Sequence, residues 1–297
     1  MQMLMNTNIN FVSKKVRRTA MLMSLVVIII GAVFFFTKGI NLSIDFTGGN
    51  ILQYKFISEV KIEEMRNELQ GKGLKTITLQ NFGDSNDELL IRIGSDEETE
   101  TIKMYLTQKY PGLELRREEK VGPSIGSDLR RQAVWAIIFS WLGILLYVAW
   151  RFESKFGVGA IIALVHDVLI VVAVFVILGL EFNSTVLAAI LTIIGYSIND
   201  TIVIFDRIRE MMHLEKPRSD DHLLAVINKA INTTLSRTII TSLTTLLVVL
   251  ILFFFGGDVL HNFAFAMLIG IIAGVYSTIF IATPVMIELK MRVLLKD

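Results

Sequence analysis

Hydrophobic and polar positions fall into long blocks along this chain. Six stretches are apolar over the length of a bilayer crossing, about 20 residues: 19–36, 132–150, 157–180, 185–205, 238–255 and one within 263–289. Between the first and second lies 37–131, where charges occur throughout and no apolar run is long enough to span. The contrast predicts a polytopic α-helical membrane protein with six transmembrane helices and one polar domain inserted after the first. Inside the insert, alternation predicts strands at 49–56, 75–82, 88–93 and 113–121, with a turn at Asn86-Asp87. Helical spacing of Val60, Ile62, Met65 and Leu69 predicts a helix over 58–71, stopped by Gly71. Ser95 and Glu98 form a capping box that opens a second helix, which ends at Tyr110 before Pro111-Gly112. The order β-α-β-β-α-β is that of a ferredoxin-like α+β domain, a fold that hosts many functions and identifies none. Phe46, Tyr54 and Phe56 are its candidates for exposed aromatic contacts with a polypeptide.

The polar segments between spans set the topology. A short arm, 1–18, carries Lys14, Lys15, Arg17 and Arg18. No small-residue cleavage site follows 19–36, so this span is expected to be retained rather than removed as a signal peptide. The polar connection 206–237 contains Ser219-Asp220, a helix cap, and an apolar stripe of Leu223, Leu224, Ile227, Ile231 and Leu235. That stripe is expected to lie on the membrane surface. The tail, 290–297, carries Lys290, Arg292 and Lys296. Arg151 and Lys155 flank the turn after the second span, whereas the loops 181–184 and 256–262 hold no Lys or Arg. The positive-inside rule then predicts cytoplasmic N- and C-termini, a cytoplasmic connection at 206–237 and a periplasmic insert. The five spans within 132–289 form the remaining bundle.

Composition narrows the function classes. Of 297 residues 53% are hydrophobic, as a polytopic protein requires, and the net charge of +1 points to no nucleic-acid partner. Cysteine is absent, which excludes disulfides, thiolate metal sites and a cysteine nucleophile. His166, His213, His222 and His261 show no metal-ligand spacing. Gly71-Lys72-Gly73-Leu74-Lys75-Thr76 lacks the spacing of a phosphate-binding loop. Neither a cofactor, an ATP-driven motor nor enzymatic catalysis is expected.

The candidate chemistry lies inside the membrane. In the fourth span Tyr196 follows Thr192 by four residues, and Asn199 and Asp200 follow Tyr196 by three and four, which places them on one helix face. A carboxylate at this depth costs about 2.5–3.5 kcal/mol on insertion scales, so it usually has a buried partner or a task. In the third span Gly159, Ala163 and Asp167 recur at four, two small residues and a carboxylate on one face. Arg237 stacks with Thr241 and Thr244/Thr245 at the mouth of the fifth. With the topology above, Asp167, Asp200 and Arg237 all fall between the midplane and the cytoplasmic surface. A buried carboxylate beside an arginine can hold and release a proton as helices move. The plainer readings are that Asp167 with His166 is helix-packing glue and that Arg237 snorkels to lipid phosphate. Gly270 and Gly274 form a packing GxxxG in the sixth span, and Phe34–Phe36 and Phe253–Phe255 supply lipid-facing bulk.

Several of these residues sit in recognisable strings. Ile44-Asp45-Phe46-Thr47-Gly48-Gly49 follows the first span and Val121-Gly122-Pro123 precedes the second. Ala163-Leu164-Val165-His166-Asp167-Val168 lies in the third, and Gly195-Tyr196-Ser197-Ile198-Asn199-Asp200-Thr201 with Phe205-Asp206-Arg207-Ile208-Arg209-Glu210 in the fourth. Arg237-Thr238-Ile239-Ile240-Thr241-Ser242 opens the fifth and Phe255-Gly256-Gly257 closes it. In order and spacing, over nearly the whole chain, they resemble the SecF members of the SecD/SecF protein-export family, within the RND superfamily. The resemblance implies half of an RND-type unit, whose other six helices come from SecD, associated with SecYEG and YajC in a bacterial inner membrane. It implies use of the proton-motive force to help preproteins complete translocation. It also implies that Asp200 and Arg237 take part in proton flow, and carries over a role for Asp167 only weakly. A proton-coupled small-molecule exporter of the RND class and a passive scaffold of a membrane complex are the alternatives.

Overall fold

The computed structural model describes residues 9–72, 77–82 and 87–294. The start of the strand expected at 75, Asn86 of the expected turn, residues 73–76 and Lys296 lie outside the described residues. The chain divides into two compact units, Leu42–Val134 and the remainder.

Leu42–Val134 contains a four-residue helix α2 (Ile44–Thr47), then β1 (Gly49–Lys55), α3 (Ile62–Gly71), β2 (Ile77–Phe82), β3 (Glu88–Ile93), α4 (Asp96–Lys109) and β4 (Glu114–Val121). The strands pair antiparallel in the order β2-β3-β1-β4, with Leu52 opposite Ile91 and Glu118, the sheet of a ferredoxin-like domain. Alternate residues point to opposite faces. Leu52, Tyr54 and Phe56 therefore join Leu89, Ile91 and Ile93 beneath the helices, packed on Met65, Leu69, Ile102 and Leu106. Ser95 caps α4 by accepting from the Glu98 N–H at 3.3 Å. This corrects the expectation of exposed aromatics: Tyr54 is 3% and Phe56 4% exposed, both on the core side of β1, and Phe46 is buried on α2. The double glycine has a steric cause. Gly48 has φ 73°, and a Cβ there would stand 2.8 Å from Pro123 Cα. A Cβ on Gly126 would meet the Gly48 nitrogen at 2.7 Å. Two backbone segments meet where the Gly-Gly and Val-Gly-Pro strings lie, closer than side chains permit.

The larger unit contains the spanning helices, except that the first turns of Pro123–Arg151 belong to the smaller unit. Among the described residues six helices are long and apolar enough to cross a membrane: Lys14–Lys38, Pro123–Arg151, Lys155–Leu178, Ser184–Glu215, Asp220–Phe255 and Val259–Lys290. In element terms these are α1 (Lys14–Lys38), α5 (Pro123–Arg151), α6 (Ser154–Leu178), α7 (Ser184–Glu215), α8 (Asp220–Phe255) and α9 (Gly257–Ser277), which continues through a π-helical turn, Thr278–Ala282, into α10 (Thr283–Leu294). Pro284 explains the turn: it has no N–H for the regular ladder, and the Thr283 hydroxyl bonds the Thr278 carbonyl at 2.9 Å. α7 and α9 form the centre. A Cβ on Gly270 would overlap Ile193 at 2.2 Å, and one on Gly274 would press on Ser197 at 3.2 Å, so the expected GxxxG does bring two helices together. α5 is peripheral, with Trp135, Phe139, Leu146 and Trp150 all exposed as a lipid-facing surface would be.

Two expectations change here. α1 starts at Lys14, so the basic residues of the arm belong to the first helix rather than preceding it. The connection at 206–237 is not a separate surface segment. α7 runs on to Glu215 and stops at Lys216, in a left-handed cap with φ 44° ahead of Pro217. α8 then starts at Ser219, which caps the His222 N–H at 3.3 Å, and continues unbroken for 36 residues. Its Leu223, Ile227, Ile231 and Leu235 are buried against the bundle instead of lying on a membrane surface.

Candidate functional site

Two buried carboxylates organise the spans. Asp167, on α6, is 1% exposed. One oxygen accepts from Ser197 of α7 at 2.5 Å and from Ser277 of α9 at 2.9 Å. The other lies 3.0 Å from His166 Nδ1. His166 Nε2 lies 3.0 Å from the Ser24 hydroxyl of α1, which also reaches Tyr276 at 3.2 Å. Tyr276 in turn donates to the Ala20 carbonyl at 2.6 Å. The network ties α1, α6, α7 and α9 together. Gly159 and Ala163 serve the same face: a Cβ on Gly159 would sit 2.6 Å from the Ala282 carbonyl, and Ala163 is fully buried.

Asp200, on α7, is 4% exposed. The hydrogen bond it accepts from the Ser242 hydroxyl of α8 is long, 3.4 Å. Ser242 and Thr238 lie one turn apart on α8, as Asp200 and Tyr196 do on α7. The hydroxyls of Tyr196 and Thr238 are both buried without a hydrogen-bond partner among the described residues. Polar hydrogen-bonding capacity therefore brackets Asp200 along both helices. A cleft of about 490 Å³ between α7 and α8 is lined by Asn199, Ile202, Asp206, Arg207, Thr233 and Arg237, among others. Arg237 is exposed, and its guanidinium stands close enough to act electrostatically on Asp200. At the end of the cleft Asp206 pairs with Arg151 of α5 at 2.5 Å and with Arg209 at 3.3 Å. Arg207 pairs with Glu210 at 2.8 Å.

The spans thus hold the expected residues in two clusters. Asp200, Asn199, Tyr196 and Arg237 gather along α7 and α8, while Asp167 belongs to the α1/α6/α7/α9 network. The four-residue face of α7 is split, because Thr192 and Asn199 are exposed, Tyr196 is half-buried and Asp200 is enclosed. On α8 the face meeting Asp200 carries Thr238 and Ser242. Thr241, Thr244 and Thr245 bond carbonyls of their own helix at 2.8 to 3.1 Å. Ser242, Ser197, Ser277, Ser24 and Tyr276 were not singled out from sequence, because one hydroxyl in an apolar helix has no pattern that points to its partner.

Known proteins match this arrangement. The family model for the C-terminal part of the protein export membrane protein SecD/SecF matches residues 101–292, and the SecD/SecF GG motif matches 33–56. The protein translocase subunit SecF of Desulfurispirillum indicum is 44% identical over 94% of this chain and 91% of its own length. That of Calditerrivibrio nitroreducens is 42% identical over 96% and 95%. The chain belongs to the SecD/SecF family. As a SecD/SecF protein it is a multi-pass membrane protein and an auxiliary subunit of Sec protein translocation. The crystal structure of SecDF, a translocon-associated membrane protein from Thermus thermophilus, superposes with a TM-score of 0.86 at 39% identity. It covers 98% of this chain, but this chain spans only 40% of that one. The GG motif of the family is the Gly48–Gly49 pair whose backbone lies against Pro123 and Gly126.

Proposed function

We propose that this chain is one half of a proton-driven unit that helps preproteins finish crossing a bacterial inner membrane, with a SecD-type chain as the other half. The observation that carries the reading is the state of Asp200: an enclosed carboxylate with a long hydrogen bond, two hydroxyls one turn away on α7 and α8 that are unpartnered among the described residues, and an arginine-lined cleft beside it. In this reading Asp200 takes up and releases the proton. Arg237 biases its charge state, Tyr196 and Thr238 hydrogen-bond the path on either side, and Asn199 lines the entry. Asp167 holds the helices in register and carries no proton. One elementary charge moving through 100 mV supplies about 2.3 kcal/mol, enough to bias a helix rearrangement of a few kcal/mol.

The 40% share of the SecDF chain supports a partner that completes the unit, and the family supports association with the Sec translocon and YajC. Basic residues at the α5–α6 turn and in the α7–α8 connection, Arg151, Lys155, Lys216 and Arg218, support cytoplasmic placement of that end and of both termini. The ferredoxin-like unit is then periplasmic, where it would engage the emerging polypeptide.

The test is Asp200→Asn in the complex with its SecD-type partner, in sealed vesicles carrying a proton gradient. Loss of proton flux together with loss of preprotein release supports the reading. Unchanged flux and release overturn it in favour of a scaffold. Proton-dependent accumulation of small apolar solutes, without any effect on preproteins, would favour an exporter.

A further inference from the structure

A short extended segment ahead of α1 is fastened to α8 in a way the mechanism above does not use. The Ile9 N–H donates to Asn232 Oδ1 at 3.1 Å. The Ile9 carbonyl accepts from Asn228 Nδ2 at 3.0 Å and from Asn232 Nδ2 at 2.9 Å. The Phe11 N–H donates to Asn228 Oδ1 at 2.9 Å. Two carboxamides one helical turn apart thus clamp the backbone of a passing strand at both its donors and its acceptor. The side chains of the same segment reach another element. Val12 is 6% exposed within the bundle core, and the Phe11 ring lies 6.1 Å from that of Phe280 in the π-helical turn.

Both anchor points lead to the proton site. Asn232 stands five residues before Arg237 on an unbroken helix, so a shift of one moves the other. Thr278, at the start of the π-helical turn, shares a 2.9 Å hydrogen bond with Thr201, the neighbour of Asp200. The segment therefore links α8, which carries Arg237, to the π-helical turn, which bonds the neighbour of Asp200 on α7. Asn228 and Asn232 sit at the exposed margin of α8, where water would solvate them if the segment left. Its loss should loosen the geometry without unfolding the bundle.

We propose that Ile9–Val12 is a positioning strap, held by Asn228 and Asn232, that fixes Arg237 relative to Asp200. The proposal rests on the proton-site reading above. The chain has no cysteine, so Val12→Cys reports strap release by maleimide labelling against a silent background. In the complex with the SecD-type partner, combining Asn228→Ala and Asn232→Ala should accelerate that labelling at least about tenfold, because four backbone-to-amide hydrogen bonds are lost. Proton flux should fall about tenfold through misplacement of the guanidinium, and its pH profile should move toward that of Arg237→Lys. In an Arg237→Lys background the same pair of changes should add little, since both act on one geometry. Faster labelling with unaltered flux and pH profile overturns the proposal, as does unaltered labelling or full additivity with Arg237→Lys. If Asp200→Asn leaves flux intact, the proton reading fails and the strap's role fails with it. Loss of flux in Asp200→Asn but not in the strap variants removes the strap alone.

Discussion

Asp167 on α6 is 1% exposed and Asp200 on α7 is 4% exposed, so both carboxyls are almost completely shielded within the chain. Their surroundings differ in every other respect. Asp167 has two serine hydroxyls at 2.5 and 2.9 Å and a histidine at 3.0 Å, drawn from its own helix and two others. Asp200 has one serine at 3.4 Å, while the hydroxyls of Tyr196 and Thr238 are unpartnered among the described residues. A fully satisfied buried group rigidifies its surroundings, and changing its protonation would break contacts in four helices. A weakly held group beside an open cleft can change state with little structural loss. Burial of an aspartate in a span therefore does not by itself separate the two; the completeness of its hydrogen bonding does.

The largest effect that can break this comparison is functional. Asp200→Asn should lower proton-coupled flux by at least about a hundredfold, the scale of losing an essential proton carrier. It should leave thermal unfolding in detergent nearly unchanged, because it gives up a single long hydrogen bond. Asp167→Ala should do the reverse to stability. It strands Ser197, Ser277 and His166, and at about 0.6–1.7 kcal/mol for each intramembrane hydrogen bond the loss should be on the order of 2–4 kcal/mol. Unfolding of the two purified variants, followed by loss of soluble monomer on heating, checks both. If Asp200→Asn melts early and Asp167→Ala does not, the roles assigned to the two carboxyls are exchanged.

Much of this architecture was legible because its cause is local. Six apolar runs and the insert between them follow directly from hydropathy, and the β-α-β-β-α-β order from periodicity. Tyr54 and Phe56 were misplaced although the rule was at hand: both share the parity of Leu52, so period two sends all three to one face. The length of α8 was hidden for a different reason. Its polarity changes near Arg237, and a change of polarity does not end a helix; Pro217 and Ser219 mark the true break. Least legible were contacts such as Ser197 with Asp167 or Asn232 with Ile9, which join residues 30 and 223 positions apart. No local pattern encodes them. Asp200 stands out in the sequence by its cost in a membrane and its polar stripe, whereas Asp167 beside His166 reads equally as packing glue; neither reading carries the hydrogen bonds that separate the two.

Two neighbouring hydroxyls on α7 sharpen the comparison at smaller magnitude. Ser197 donates to Asp167 at 2.5 Å, whereas the Tyr196 hydroxyl has no protein partner among the described residues. Ser197→Ala should therefore cost about 1 kcal/mol and Tyr196→Phe less than about 0.5 kcal/mol. The order inverts for function, where Tyr196→Phe should slow proton flux and Ser197→Ala should leave it close to normal. Parallel unfolding and flux measurements on these adjacent substitutions decide whether stability and transport are divided between the two clusters or shared.

The smallest effect comes from a carboxylate in water, which calibrates the two in the membrane. Glu68 on α3 bonds Lys109 and accepts from Tyr105 at 3.1 Å, and the lysine contact above all holds its carboxyl below the ordinary value of 4.5. Burial opposes the shift, second only to the lysine bond, although the paired side chains remain 37% and 36% exposed. A lowered value means that the stabilisation is present above pH 4.5 and is lost as acid titrates Glu68 through its depressed pKa in the folded state. Solvent screens such a pair, so Glu68→Gln should cost at most about 0.5 kcal/mol at neutral pH. The difference should vanish below the folded-state value and shrink in molar salt. Chemical denaturation of wild type and Glu68→Gln across that pH range checks the sign. A larger or salt-insensitive loss would mean that this pair is as enclosed as Asp167, and that hydrogen-bond completeness rather than exposure governs the insert as well.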